Sequence, residues 1–241
     1  MTDVPAAVVK ELAPTGTLRV ALNLVNTVLV QTDPATGQYK GVTVDLAQEL
    51  GRRLGVPIAF MPFQGAGKAV EAFKAGALDV AFLANEPARA AEVAFTPPYV
   101  LIEGVYLVRT DSPFRQAEEL DRDGVRIGVN TASAYDLFLT RTLKHATLVR
   151  SDSGIAAFLK DGLDAAAGVG QIMAERVKAD PSLRVVEGSF MQIPQAMATQ
   201  RGRPAASDYL HAFIEDMKRN GFVKEALARS GQGDATVAPP A

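Results

Sequence analysis

Apolar and polar positions alternate along this chain in a way that separates short buried runs from one-sided stripes. Leu18–Leu22 is an apolar run behind a Gly16-Thr17 turn, the pattern of a buried parallel strand, and it delivers Asn23 to the loop beyond. From Thr43, which reads as an N-cap, Leu46, Leu50 and Leu54 recur at every fourth position, while Gln48, Glu49, Arg52 and Arg53 fall off that stripe. A helix with one buried side is expected there, closed by Gly55. Pro57–Phe63 reads as a second strand, Lys68–Ala75 as a helix ended by Gly76, and Leu78–Leu83 as a third strand. Strand and helix alternating at this spacing predict a parallel sheet with crossover helices.

The same order returns further along: strand Val125–Val129, helix from about Ser133 to Leu143, strand Thr147–Val149, helix Ile155–Lys160, strand Leu163–Ala167. Two motifs recur with it. Gly16-Thr17-Leu18-Arg19-Val20 is echoed by Gly124-Val125-Arg126-Ile127, and Ala75-Gly76-Ala77-Leu78-Asp79 by Asp161-Gly162-Leu163-Asp164. Two similar α/β lobes with a cleft between them are the simplest reading, and such a cleft suits a small molecule.

Between the copies, Phe95-Thr96-Pro97-Pro98-Tyr99 carries two prolines that fix φ and remove two amide donors, so a rigid extended connector is expected, followed by a β-like run from Gly104 to Val108. Gln192–Ala198 reads as the return crossing. Ala206–Asn220, with Leu210, Phe213, Ile214 and Met217 on one face, reads as a long helix packed on the first lobe, and Val223–Arg229 as a short one after Gly221. Gly231–Ala241, rich in Gly, Ala and Pro, reads as a surface tail.

Composition narrows the class of partner. In 241 residues, 25 basic and 27 acidic side chains leave a net charge of −2 with no long run of either sign, so no footprint for nucleic acid or anionic membrane is expected. With 48% hydrophobic residues the chain can build real cores, and the absence of cysteine removes thiolate chemistry and disulfides. The apolar stretch Val20–Val30 is too short, and too interrupted by Asn23, Asn26 and Thr27, to span a bilayer. Met1–Pro5 lacks the features of a secretory leader, so the chain either stays in the cytoplasm or has its export signal outside this sequence.

Four stretches in order, Gly16–Val20, Gly41-Val42-Thr43-Val44-Asp45-Leu46, Gly76-Ala77-Leu78-Asp79-Val80 and Arg89–Tyr99 with its Phe95-Thr96-Pro97-Pro98-Tyr99 ending, resemble the family 3 solute-binding proteins of bacterial ABC transporters. The resemblance covers nearly the whole chain. It implies an α/β, type II periplasmic-binding-protein fold: two lobes, each a parallel-rich sheet flanked by helices, joined by two crossing hinge strands. The lobes are expected at 1–104 with 195–241 and at 105–194. It also implies a non-catalytic, periplasmic, monomeric protein without cofactor or metal, which closes on a small carboxylate-bearing solute and hands it to an ABC permease.

The family's ligand carboxylate is held by an arginine a few residues before the Phe-Thr-Pro-Pro-Tyr motif, which falls on Arg89. A guanidinium offers a flat fork of donors matching a carboxylate, and although an arbitrary arginine is usually a solvated cation, a place just after a strand end favours ligand contact. Asn130-Thr131-Ala132-Ser133-Ala134 stands where the family presents hydroxyl and amide donors to the same carboxylate. A helix starting there would add free N–H groups and its positive end, while Ser133 serves equally well as an N-cap.

Two departures qualify the ligand. Where the family's amino-acid binders carry hydroxyl residues ahead of the arginine, this chain has Phe82, Leu83 and Ala84, then Asn85. Where they place an aspartate for the ligand's α-ammonium, it has Gly168-Val169-Gly170-Gln171, and a buried ammonium without counter-charge is heavily penalised. The expected site is therefore Arg89 surrounded by amides, Asn23, Asn85, Asn130 and Gln171, with Lys68 near the mouth. That set suits an organic acid or a modified amino acid. Phe82 and Tyr99 read either as cavity lining or, more commonly for aromatics at strand ends, as core.

Other signals fall short. Gly65-Ala66-Gly67-Lys68 lacks the first glycine and the Ser/Thr of a phosphate loop, and Gly168-Val169-Gly170 has Met173 where a dinucleotide fingerprint needs glycine. His145 and His211 read as surface residues with no metal-ligand spacing around them, and Glu86 and Glu92 as exposed charges. The alternatives are a cyclohexadienyl-dehydratase-like lyase on the same scaffold, which needs a general acid this sequence does not offer at the second-lobe strand end, and a soluble ligand sensor.

Overall fold

The computed structural model describes residues 4–241, so the first three residues of the Met1–Pro5 stretch weighed for a leader lie outside the described residues. The chain divides into two compact units, unit 1 from the N-terminus to Leu101 with Pro194–Ala241, and unit 2 from Ile102 to Ile193. Unit 1 begins with α1 (Ala6–Leu12), β1 (Leu18–Asn23), the small hairpin β2 (Gln31–Thr32) and β3 (Tyr39–Lys40), α2 (Val42–Leu54), β4 (Ile58–Phe63), α3 (Ala66–Lys74), β5 (Val80–Ala84), α4 (Pro87–Ala90) and the first part of β6 (Val93–Arg109). Unit 2 holds the rest of β6, a 3-10 turn at Ala117–Leu120, β7 (Arg126–Asn130), α5 (Ala134–Thr142), β8 (Thr147–Ser151), α6 (Gly154–Asp161), β9 (Ala165–Val169), α7 (Gly170–Ala179) and β10 (Leu183–Val185). Strand β11 (Met191–Gln200) returns to unit 1, which ends with α8 (Pro204–Arg219), α9 (Phe222–Arg229) and β12 (Thr236–Val237).

In unit 1 the strands run in the order β4-β1-β5-β11-β6, with β1 parallel to β4 and β5, and β11 antiparallel to β5. In unit 2 the order is β6-β9-β7-β8, with β7 parallel to β8 and β9, and β9 antiparallel to β6. Strands β5 and β9 are buried at every position, as expected of central strands covered on both faces. Phe73, Leu78, Leu83 and Val93 anchor the unit 1 core, while Phe158, Leu107, Leu163 and Met173 anchor that of unit 2. Because the parallel strands are in register, each unit brings three carboxyl ends side by side: Phe63, Asn23 and Ala84 in unit 1, Ser151, Asn130 and Val169 in unit 2.

At the opposite ends of these strands the repeated motifs acquire a structural meaning. The Arg19 amide donates to the Asp79 carboxylate at 3.0 Å, and the Asp79 amide donates to the Arg19 carbonyl at 2.9 Å. Unit 2 repeats both bonds, Arg126 N–H to Asp164 Oδ2 at 2.7 Å and Asp164 N–H to the Arg126 carbonyl at 3.0 Å. Each motif pair thus clips the start of one parallel strand to the turn before its neighbour. The copies differ in burial. Asp79 is 0% exposed and also holds the Arg19 guanidinium at 2.8 and 2.9 Å, with Arg203 at 3.5 Å, whereas Asp164 is exposed and Arg126 turns to the Gly162 carbonyl instead.

One helix start differs from the sequence expectation for an identifiable reason. The N-cap of α2 is Gly41, not Thr43. Its φ of +118° suits glycine, and a Cβ there would sit 2.4 Å from the Leu29 carbonyl oxygen. Thr43 is buried in the first turn, with its hydroxyl 3.4 Å from the Tyr99 hydroxyl, and Tyr99 in turn meets Phe82 edge to face at 5.9 Å, so both aromatics belong to the core. The Gly231–Ala241 stretch lies on the surface as expected but is pinned there: Thr236 and Val237 pair with Leu101 and Val100 of β6, the Ala238 amide reaches the Tyr99 carbonyl at 3.0 Å, and Lys218 Nζ donates to the carbonyls of Pro98 and Pro239.

The proline pair lies within β6, where Thr96 compensates locally. Its hydroxyl donates to the Pro97 carbonyl at 2.8 Å and accepts from the Met197 amide of β11 at 3.1 Å. In unit 2, α6 lies directly on β7 because neither contacting residue has a side chain: a Cβ on Gly154 would come within 2.7 Å of the Gly128 and Val129 backbone. Gly154→Ala is expected to lower stability by about 1–3 kcal/mol through overpacking, read as a fall in the urea midpoint with unchanged slope. An unchanged midpoint would show that α6 can lift off β7 without cost.

Candidate functional site

Open parallel sheets bind ligands beyond the carboxyl ends of their strands, and the sequence-predicted residues of each unit gather there. In unit 1, β1 ends on Asn23, which is half-buried and whose Oδ1 accepts the Val25 amide at 3.3 Å, shaping the turn that follows. Strand β5 ends on buried Ala84, and the next residue, Asn85, is fixed by its amide to the Pro194 carbonyl at 2.8 Å. Then comes α4, a single turn that forms because Pro87 is pre-set for the first helical position and Glu86 caps it, its carboxylate accepting the Ala88 amide at 2.9 Å.

That turn carries Arg89 inward. Its side chain donates to the Ala84 carbonyl at 3.3 Å, and the residue is only 5% exposed. Burial pulls the guanidinium pKa down to about 10 while the nearby Glu86 carboxylate opposes the shift, so Arg89 stays cationic at neutral pH. Glu86, read from sequence as an exposed charge, is buried, its carboxylate turned inward to the Ala88 amide and beside the buried Arg89. Lys68 is exposed in the first turn of α3, just past the end of β4, and Gly65 serves as the N-cap of that helix.

In unit 2, Asn130, Thr131, Ser133 and Ala134 form one compact turn from β7 into α5. The Asn130 side-chain oxygen accepts the Gly154 amide at 2.8 Å, tying the turn to α6. Thr131 donates both its amide, at 2.9 Å, and its hydroxyl, at 3.2 Å, to the Ser151 carbonyl. Ser133 is the N-cap, its oxygen accepting the Asp136 amide at 3.1 Å, and its hydroxyl is also in hydrogen-bond contact with that of Tyr135. Ala134 is buried at the first helical position. Gln171 stands at the second position of α7, just past β9, and its Oε1 is buried without a hydrogen-bond partner among the described residues, as is Ser151 Oγ.

Sequence reasoning missed the ion pair beneath this turn. Asp136 is 3% exposed and accepts the Ala132 amide at 2.9 Å, while Arg150 Nε reaches its carboxylate at 2.9 and 3.2 Å. The signal available was a carboxylate three residues after an N-cap serine, a common helix-start pattern, but its partner lies on the following strand, β8. His145, exposed and paired with Asp123 at 3.3 Å, and His211, exposed on α8, stand apart from both strand ends. Among the described residues no group of three or more His, Cys, Asp or Glu could hold a metal ion.

Residues 27–231 match the family described as bacterial extracellular solute-binding proteins, family 3. The chain belongs to this family. Solved structures agree with that membership at the level of fold. The solute receptor for L-cysteine of Neisseria gonorrhoeae is 22% identical over 92% of this chain and 93% of its own, with a TM-score of 0.81. An amino acid ABC transporter substrate-binding protein from Streptococcus pneumoniae bound to L-arginine is 18% identical over 92% and 97%, with a TM-score of 0.78. An ancestral amino acid-binding protein, a precursor of cyclohexadienyl dehydratase, is 23% identical over 92% and 97%, with a TM-score of 0.77. The architecture of this family 3 chain is the α/β type II periplasmic-binding-protein fold. Among its described residues no helix is long and apolar enough to cross a membrane.

Proposed function

We propose that this family 3 chain is a non-catalytic binding protein for a small carboxylate-bearing solute. The solute would be an organic acid or a modified amino acid, captured by hinge closure outside the cytoplasmic membrane and delivered to an ABC permease. The observation that carries this reading is Arg89: a cation held 95% out of solvent at the carboxyl end of a central parallel strand, presented by a turn whose own cap is satisfied. Keeping a guanidinium there costs desolvation, which the Glu86 carboxylate offsets in part and an arriving carboxylate would offset further with charge-assisted hydrogen bonds.

The ends of the unit 2 strands support binding rather than proton transfer. Strands β7 and β8 end on Asn130 and Ser151, Gln171 stands in the first turn of α7, and the buried carboxylate nearby, Asp136, is engaged by Arg150. Gln171, where an aspartate would serve an α-ammonium, favours a solute without that cation. A thermal-shift panel of succinate, succinamide, L-pyroglutamate, L-glutamine and L-arginine tests the reading. Succinate or L-pyroglutamate is expected to raise the melting temperature most, since a site filled at 100 times its Kd gains about 2.7 kcal/mol. If only the two α-amino acids stabilise the protein, the inference from Gln171 fails; if succinamide matches succinate, the carboxylate reading fails with it.

A further inference from the structure

The turn that enters α5 is held by a carboxylate that itself sits where an anion would be welcome. Among the described residues Ala132 is the non-glycine residue with positive φ, +57°, a left-handed conformation that a side chain adopts only when its surroundings impose it. Its amide donates to Asp136 Oδ2 at 2.9 Å, and the Asp136 amide in turn donates to Ser133 Oγ at 3.1 Å, so the two bonds close the turn on itself. The same carboxylate is held by Arg150 Nε, and Arg150 is fixed further by its bond to Thr140 Oγ1 at 2.6 Å, whose hydroxyl donates to the Asp136 carbonyl at 2.7 Å.

A lone carboxylate at this helix start would consume the favourable field that the first-turn N–H groups offer and would repel an incoming anion. With Arg150 attached, the Asp136–Arg150 pair is neutral, and the peptide dipoles of the helix start are no longer opposed by Asp136. We propose that Asp136 and Arg150 act as a positioning pair for solute capture, Asp136 by holding Ala132 in its left-handed turn and Arg150 by cancelling the repulsion that Asp136 would exert on an anionic solute. The proposal rests on the reading that the Asn130–Ala134 turn faces the solute carboxylate.

The test uses the full chain and acetate, the minimal carboxylate, titrated at constant ionic strength and followed by amide NMR shifts of residues 133–135, together with hydrogen exchange of the Ala132 amide without acetate. Asp136→Ala is expected to speed Ala132 exchange at least about tenfold, while Asp136→Asn, which keeps an acceptor oxygen, holds exchange near the native rate. On acetate affinity the charge changes should have opposite signs: Asp136→Asn about two- to fivefold tighter, because Arg150 is then uncompensated, and Arg150→Gln weaker by a similar factor. A purely structural pair would weaken binding in both variants, and that outcome overturns the electrostatic half. Unchanged Ala132 exchange in Asp136→Ala overturns the positioning half. If acetate moves no amide of residues 133–135 in the native chain, the reading of the turn as a carboxylate site fails and the electrostatic half falls with it, while the exchange experiment still decides whether Asp136 holds the turn.

Discussion

Arg89→Ala is expected to abolish measurable binding of any carboxylate solute the panel identifies, while the chain stays folded. Removing one member of a desolvated charge pair costs about 2–5 kcal/mol of affinity, roughly thirtyfold to several thousandfold in Kd. The cost is large at this position because burial has already removed the water that would otherwise screen the guanidinium. The fold should tolerate the change. The α4 turn is set by Pro87 and the Glu86 cap, and truncation removes a buried cation that folding has to desolvate while also taking a favourable charge from the buried Glu86 carboxylate, so a lower melting temperature is expected without loss of the fold. Arg89→Lys separates charge from shape, since it keeps the cation but loses the planar fork, and an intermediate loss is expected. Calorimetry with succinate decides the matter: an Arg89→Ala protein that binds as the native chain does removes Arg89 from the site.

The second large effect concerns stability. Asp79→Ala leaves the Arg19 guanidinium, the Arg19 amide and Arg203 without the carboxylate that organises them, in a position fully withdrawn from solvent. Breaking a buried ion pair by removing one partner costs about 3–5 kcal/mol, and the partial exposure of Arg19 puts this case near 3. For a chain of this size that is a fall of about 6–12 °C in melting temperature. Asp164→Ala removes the matching residue of unit 2, where the carboxylate is exposed, and should cost about 1 kcal/mol, the worth of one hydrogen bond. Scanning calorimetry of the two variants side by side checks the ratio. Equal losses would mean that burial at Asp79 contributes nothing beyond the shared backbone bond.

Much of this architecture was legible before any coordinates. The Leu46-Leu50-Leu54 stripe, the apolar runs of β1 and β5 and the repeated Leu-Asp motif all encode local, periodic or duplicated information, which a sequence displays directly. What escaped is information that exists only once the chain is folded. Helix α4 is four residues long and has no period to detect, and α7 buries Met173 alone, so it shows no stripe. Strand β12 has two residues and forms because Leu101 and Val100 supply a partner more than a hundred residues away in sequence. Arg89 and the Asn130–Ala134 turn were located through the motifs of the family the chain resembles, and both do follow strand ends. The internal employment of Asn130, Thr131 and Asp136 was not, since Gly154, Ser151 and Arg150 are brought to them by neighbouring strands and helices.

The duplicated clip also bears on how the two halves of such a chain can change over generations. Both units inherit the same pair of backbone-to-carboxylate bonds, but only in unit 1 does the acid lie beneath two arginines and out of reach of water. A substitution at Asp164 can therefore be absorbed by solvent, whereas one at Asp79 cannot. The base of unit 2 has room for mutational drift that the base of unit 1 lacks, so two copies that began alike need not age at the same rate.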